Sequence, residues 1–331
     1  MIGPVIVTAE DLPHSDQKER IPMNSAVPTI DIGLFIDGSR REKIVADVRD
    51  ACRNTGFLVI TGHGIDPEIV SGAVEASKTF FDRPVPEKEH YRNPARRTGY
   101  AEFANMSLGQ SQGDDVPPDL REGYTMRRVD IIDWRSPVWG NSEPDIALRT
   151  AMSAYYTAMD SLADTIMSVF ALALELPENW FSSRFDRHDS QLAIYHYPPM
   201  DRPPLPGQLR GGAHTDFGSL TLLSGSPSVR GLQIWDGEKW EDAPLIPGSL
   251  VVNIGDLMQR WTNDSWHSTL HRVVNPVDGE WDKARYTIAF FHQPNHDSVI
   301  SSLDAAAPAK YAEITSGEHF TSKLEAMALT K

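Results

Sequence analysis

The sequence is short of three things, and each shortage removes a class of function. It has one cysteine, Cys52. A single thiol forms no intrachain disulfide framework and cannot supply the paired cysteines of a zinc site. That usage suits a reducing compartment, and nothing in it demands an oxidising one. Long apolar runs are the second lack: none approaches the roughly 20 residues that span a bilayer. The opening segment MIGPVIVTAEDLPHSDQKER has neither a basic start nor a long apolar stretch, so a cytoplasmic location is expected. The third is positive charge, with 31 Lys and Arg against 46 Asp and Glu and a net charge of −15. A surface of that sign repels phosphate backbones and anionic lipid, so neither nucleic acid nor a membrane is the expected partner. A G-x-S-x-G hydrolase elbow is missing as well.

What is present is a chain of 331 residues, 40% hydrophobic, enough to fill a sizeable core. Residues 1–26 are polar and mixed and read as an arm. A short β-like run follows at 27–32, then helical spacing over 41–56 stopped by Gly56. The apolar strand Phe57–Thr61 ends at Gly62-His63-Gly64, and a helix over 67–82 is broken by Arg83-Pro84-Val85-Pro86. Residues 92–135 look irregular, 143–175 form a long helix and 177–184 a shorter one. From Gln191 the pattern changes to short β-rich runs between Gly, Pro, Asn and Asp turns, the pattern of a sandwich or barrel. Residues 308–328 return to helix. The expectation is one unit, with a helical N-terminal half feeding a β-rich C-terminal half.

Two pairs of residues carry the chemistry. His214 and Asp216 form an H-x-D motif just ahead of the strand SLTLL. Residues i and i+2 on an extended backbone point the same way, so an imidazole and a carboxylate converge from one strand end. A third ligand on a facing strand would complete a facial triad with open positions, the arrangement of Fe(II) oxygenases. His267, His271, His292 and His296 are the candidates; His271 sits in the extended segment STLHRVV, and a strand holds a ligand more rigidly than a turn. The tripeptide alone is weak, and a lone strand histidine is ordinarily a hydrogen-bonded core residue. The second pair is Arg285 and Thr287, also i and i+2. An arginine fork grips a carboxylate bidentately, and an arginine in an apolar strand is costly without an anion. A salt bridge to one of the many acidic side chains would satisfy it equally well.

At these residues the chain resembles the isopenicillin N synthase-like family of Fe(II)- and 2-oxoglutarate-dependent dioxygenases. The likeness runs through PTIDIGLF, ACRNTGFLVITGHGI, YHYPP, AHTDFGSLTLL, the segment 231–274 and RYTIAFFHQPN, covering roughly residues 27–325. It implies a mixed α and β fold, a distorted double-stranded β-helix (jelly-roll) core wrapped by helices. It implies Fe(II) on His214, Asp216 and His271, and 2-oxoglutarate on Arg285, Thr287 and Tyr197, with O2 as oxidant. It divides the chain into an N-terminal dioxygenase region at 27–135, a helical connection at 136–187, the oxygenase core at 188–295 and a C-terminal helical segment at 296–331. Three departures stand out: Tyr195 where plant-type members usually carry Asn, R-x-T in place of R-x-S, and an enlarged turn VDGEWDKA between His271 and Arg285.

The expected reaction is hydroxylation, desaturation or ring formation on a small molecule, with release of succinate and CO2. Candidate substrate contacts are Tyr100, Phe103, Asn105, Tyr124, Met126, Arg128, Leu223 and Phe291, with 92–128 as a candidate lid. Two rivals stand: an Fe(II) oxidase of the same family that does without 2-oxoglutarate, and a non-catalytic jelly-roll binding protein.

Overall fold

The computed structural model describes residues 27–113, 116–225, 230–244, 246–276, 281–304 and 307–329. The arm at 1–26 and residues 277–280 of the enlarged turn lie outside them. Thirteen strands build the two principal sheets. They are β1 (Thr29–Asp31), β2 (Phe57–Thr61), β3 (Arg92–Asn93), β4 (Thr98–Ala101), β5 (Glu122–Arg127), β6 (Gln191–Tyr197), β7 (Gly211–His214), β8 (Leu220–Gly225), β9 (Leu232–Trp235), β10 (Trp240–Asp242), β11 (Leu250–Ile254), β12 (His271–Val273) and β13 (Arg285–His292). The larger sheet runs β1-β2-β11-β8-β13-β6-β5-β4-β3 and the smaller β10-β9-β12-β7. Together they make the jelly-roll core, wrapped by helices.

This topology corrects the division into a helical half and a β half. Residues before 130 supply five of the nine strands of the larger sheet. An uncovered jelly-roll edge presents unpaired N–H and C=O groups, and pairing β2 with β11 and β5 with β6 removes that liability. The segment expected to be irregular, 92–135, therefore contains β3, β4 and β5. The closing helix spans Ser316–Leu329, later than the sequence suggested, after the short strand Ile314–Thr315.

The larger sheet has two chemically different faces. Opposed residues on neighbouring strands point the same way, and the side-chain period is two. On β13, Tyr286, Ile288 and Phe290 lie in the main core with the long helix Glu143–Ala173. Phe290 meets Tyr156 of that helix edge-on at 5.1 Å, and the Tyr155 hydroxyl donates to Ser224 Oγ at 2.7 Å. The helix starts cleanly because Ser142 and Asp145 cap each other reciprocally, with a proline in the first turn. The alternate residues of β13, namely Arg285, Thr287, Ala289 and Phe291, face the smaller sheet. A second cluster fills that gap, with Phe57, Val59 and Val251 from one sheet and Leu232 and Ile234 from the other. The site lies on this inner face.

Candidate functional site

His214 ends β7 and His271 begins β12; the two are register partners, with ring centroids 4.3 Å apart. Asp216 follows in the turn before β8, where its carbonyl accepts from the Asp256 backbone N–H at 2.7 Å. His214 Nε2 and His271 Nε2 each lie 3.8 Å from Asp216 Oδ1. These distances are too long for hydrogen bonds, and an ion about 2.1 Å from each donor would span them. Among the described residues, these three form the group of His and carboxylate side chains able to hold a metal, their ligand atoms all within 4.8 Å of one another.

The surroundings orient each donor. His214 Nδ1 pairs with the Gly212 carbonyl at 2.8 Å and His271 Nδ1 with the Thr269 carbonyl at 3.1 Å. Each pairing requires Nδ1 to carry the proton, which leaves Nε2 with a free lone pair facing the centre. Asp216 Oδ2 accepts from Thr221 Oγ1 at 2.5 Å and Asn253 Nδ2 at 2.7 Å, so Oδ1 alone is left for an ion. Phe57 packs edge-on to His271 at 5.4 Å. Burial, reinforced by the neighbouring His271, holds His214 well below the ordinary histidine range and keeps it neutral as a ligand must be. Burial opposes the Asp216 carboxylate, but the two imidazoles and the Asn253 and Thr221 hydrogen bonds outweigh it and lower its pKa. Replacing Asn253 with Ala should therefore weaken Fe(II) binding about 10–100-fold, as loss of such a partner does elsewhere. An anaerobic metal titration measures it, and unchanged affinity would show that Thr221 suffices.

Further along the inner face, register pairs Arg285 with Tyr197, and Thr287 with both Tyr195 and Gly225. A Cβ on Gly225 would come within 3.2 Å of Thr287 Cγ2, so glycine leaves the Arg-Thr pair its space. Arg285 is 4% exposed, its guanidinium sits 5.0 Å from the Tyr197 ring, and its Nε and Nη1 have no hydrogen-bond partner. Burial lowers its pKa, with Tyr197 acting the other way. No salt bridge to a carboxylate is formed by Arg285 among the described residues, and a buried guanidinium left so is costly.

The structure separates the substrate candidates. Leu223 and Phe291 lie on the inner face. Tyr100, Tyr124 and Met126 point the other way, into the main core. There the Tyr100 hydroxyl donates to Glu122 at 2.6 Å and the Tyr124 hydroxyl to the Val138 carbonyl. They sit one residue out of phase with Gly123 and Thr125, so strand parity removes them from the pocket. Phe103 and Asn105 are exposed, and Arg128 reaches the Asp186 carbonyl at an outer cleft with Asp160 and Asp164. Thr221, Asn253, Arg121 and Arg210 do not figure in the sequence-derived site, and Tyr195 enters there only as a departure from the family pattern. Arg121 stacks over the Tyr195 ring at 4.1 Å, its Nε 3.8 Å from Asp119 Oδ2.

With this geometry in hand, comparison with known proteins gives the class. Residues 27–141 match the family described as the N-terminal region of a non-haem dioxygenase in morphine synthesis, and residues 188–294 match the 2OG-Fe(II) oxygenase superfamily. The 2-oxoglutarate-Fe(II) type oxidoreductase hxnY of Emericella nidulans is 33% identical over 88% of this chain and 87% of its own length. Validamycin A dioxygenase of Streptomyces hygroscopicus subsp. limoneus is 28% identical over 86% and 81%. A full-length Neurospora crassa protein, crystallised in complex with alpha-KG and thymine, superposes with a TM-score of 0.80 at 28% identity, covering 92% of this chain and 97% of that one. The chain belongs to the isopenicillin N synthase-like family of Fe(II)/2-oxoglutarate oxygenases. It is a non-haem Fe(II) dioxygenase that uses 2-oxoglutarate and O2. Among the described residues, no helix is long and apolar enough to cross a membrane.

Proposed function

We propose that His214, Asp216 and His271 hold the Fe(II), that Arg285, Thr287 and Tyr197 receive the distal carboxylate of 2-oxoglutarate, and that the enzyme oxidises a small specialised metabolite. The observation that carries this reading is the directed donor set: two Nε2 atoms and one carboxylate oxygen converge, while every other polar atom of those side chains is engaged. When bound, the iron supplies the oxidation, coupling decarboxylation of 2-oxoglutarate to succinate and CO2 with hydroxylation, desaturation or ring formation on the substrate. The residues of the chain do the rest. Three protein donors leave the remaining positions of the ion to co-substrate and oxygen. Arg285 and Thr287 fix one end of the dicarboxylate, and Leu223, Val251 and Phe291 give the inner face an apolar wall that excludes water.

Small-molecule substrates are favoured by the relatives, one named for validamycin A and another crystallised with thymine. The strong negative charge and the lone buried cysteine favour a cytoplasmic enzyme without nucleic-acid or membrane partners. The domain reading stays as the sequence set it out, with 188–295 as the oxygenase core. Measuring O2 uptake and succinate with and without 2-oxoglutarate tests the assignment. Succinate formed only with 2-oxoglutarate, and stimulated by a small-molecule substrate, is the expected result. Substrate-dependent O2 uptake in its absence would favour the oxidase, and failure to bind Fe(II) or Mn(II) would favour a binding protein.

A further inference from the structure

Arg285 is not the only buried arginine at the far end of the inner face. Arg210 is 0% exposed, among the described residues the largest fully enclosed side chain after Trp261 and Trp266. It immediately precedes β7, four residues before His214, and its place is set by its own contacts. Its Nη2 donates to the Pro198 carbonyl at 3.2 Å and the Lys283 carbonyl at 3.1 Å, tying it to the ends of β6 and β13 beside Tyr197 and Arg285. Its guanidinium is 6.0 Å from the same Tyr197 ring that Arg285 approaches at 5.0 Å.

Two features make this more than a structural brace. The Nε and Nη1 of Arg210 have no partner, and neither do the Nε and Nη1 of Arg285. Burial, and next the positive charge of Arg285, push the Arg210 pKa down to about 10, so the pair repels across a water-poor space. A buried guanidinium without a counter-ion is costly, and two in proximity, each with Nε and Nη1 unengaged, form a site that an anion would stabilise. A carboxylate has about four lone-pair sites, enough for donors from both forks.

We propose that Arg210 is a second guanidinium for the distal carboxylate of the co-substrate, so that this carboxylate binds between Arg210 and Arg285. The inference rests on the 2-oxoglutarate reading given above, and its test separates the two. It assigns Arg210 to selectivity for a dicarboxylic keto acid over a monocarboxylic one.

The experiment titrates 2-oxoglutarate and 2-oxobutyrate, which has the same keto-acid head but no second carboxylate, into anaerobic Fe(II)-loaded enzyme. The charge-transfer absorbance of the iron–keto acid chelate reports binding without turnover. Arg210→Gln should lower the preference for 2-oxoglutarate at least tenfold while 2-oxobutyrate affinity stays within about twofold. Arg210→Lys keeps the charge without the fork, guards against a folding defect in the first variant, and should fall between it and wild type. Equal weakening of both keto acids, or no change in either, overturns the proposal and leaves Arg210 as a brace. Arg285→Leu runs in parallel: if it collapses the preference while Arg210→Gln does not, only the second guanidinium is wrong. If Arg285→Leu leaves the preference intact, the distal-carboxylate reading itself falls.

Discussion

Asp216→Ala is expected to abolish Fe(II) retention and, with it, succinate formation. The carboxylate is the only anionic donor of the three, and its Oδ1 is the atom both histidines face at 3.8 Å. Removing it leaves two neutral imidazoles and strands the Thr221 hydroxyl and Asn253 amide, which donate to Oδ2 in the intact site. The loss should exceed the roughly 10–100-fold that follows removal of an outer partner alone. Iron stoichiometry after anaerobic loading and desalting measures it, together with succinate release. Asp216→Asn is the sharper variant, because it keeps the shape and removes the charge. Full iron occupancy with unchanged turnover in either would reject the ligand assignment.

Arg285→Leu should raise the KM for 2-oxoglutarate about 100-fold or more, with kcat at saturating co-substrate much less affected. Each hydrogen bond from a charged group contributes about 1.5–3 kcal/mol, and about 1.4 kcal/mol is a factor of ten. Two such bonds to one carboxylate therefore set the scale. The split between KM and kcat follows because the distal carboxylate is held equally before and during the chemistry, so its anchor contributes uniform binding. Initial rates across a wide range of 2-oxoglutarate concentration decide it. Wild-type activity at ordinary co-substrate levels would remove Arg285 from the anion site.

Much of this architecture was legible in the sequence because strand spacing determines direction. The shared face of Arg285 and Thr287 follows from a side-chain period of two, whereas Asp216 lies in the turn beyond β7 and meets His214 through that turn. Which strand lies beside which does not follow from that period. The N-terminal β2 and β5 join the larger sheet through pairings across long stretches of chain, and no local pattern announces them. The same gap explains the substrate candidates. Tyr124 reads in the sequence as part of an irregular segment, yet once β5 pairs with β6 its neighbours Gly123 and Thr125 take the inner face. Asn253 and Thr221 are ordinary strand residues until the fold places both on Asp216 Oδ2. Arg210 gives no such signal, because the register of β7 against β12 shifts between His214 and Gly211.

The two-faced larger sheet also bears on how freely this enzyme can be altered. Along β13 the residues that answer to the pocket interleave with those that answer to the helices. Ala289 and Phe291 share the inner face with Arg285 and Thr287, whereas exchanging Ile288 or Phe290, which pack in the core, would loosen the chain. Neighbours in sequence are thus strangers in consequence. A new specificity could be written into alternate positions of a few strands while the scaffold beneath them is left alone.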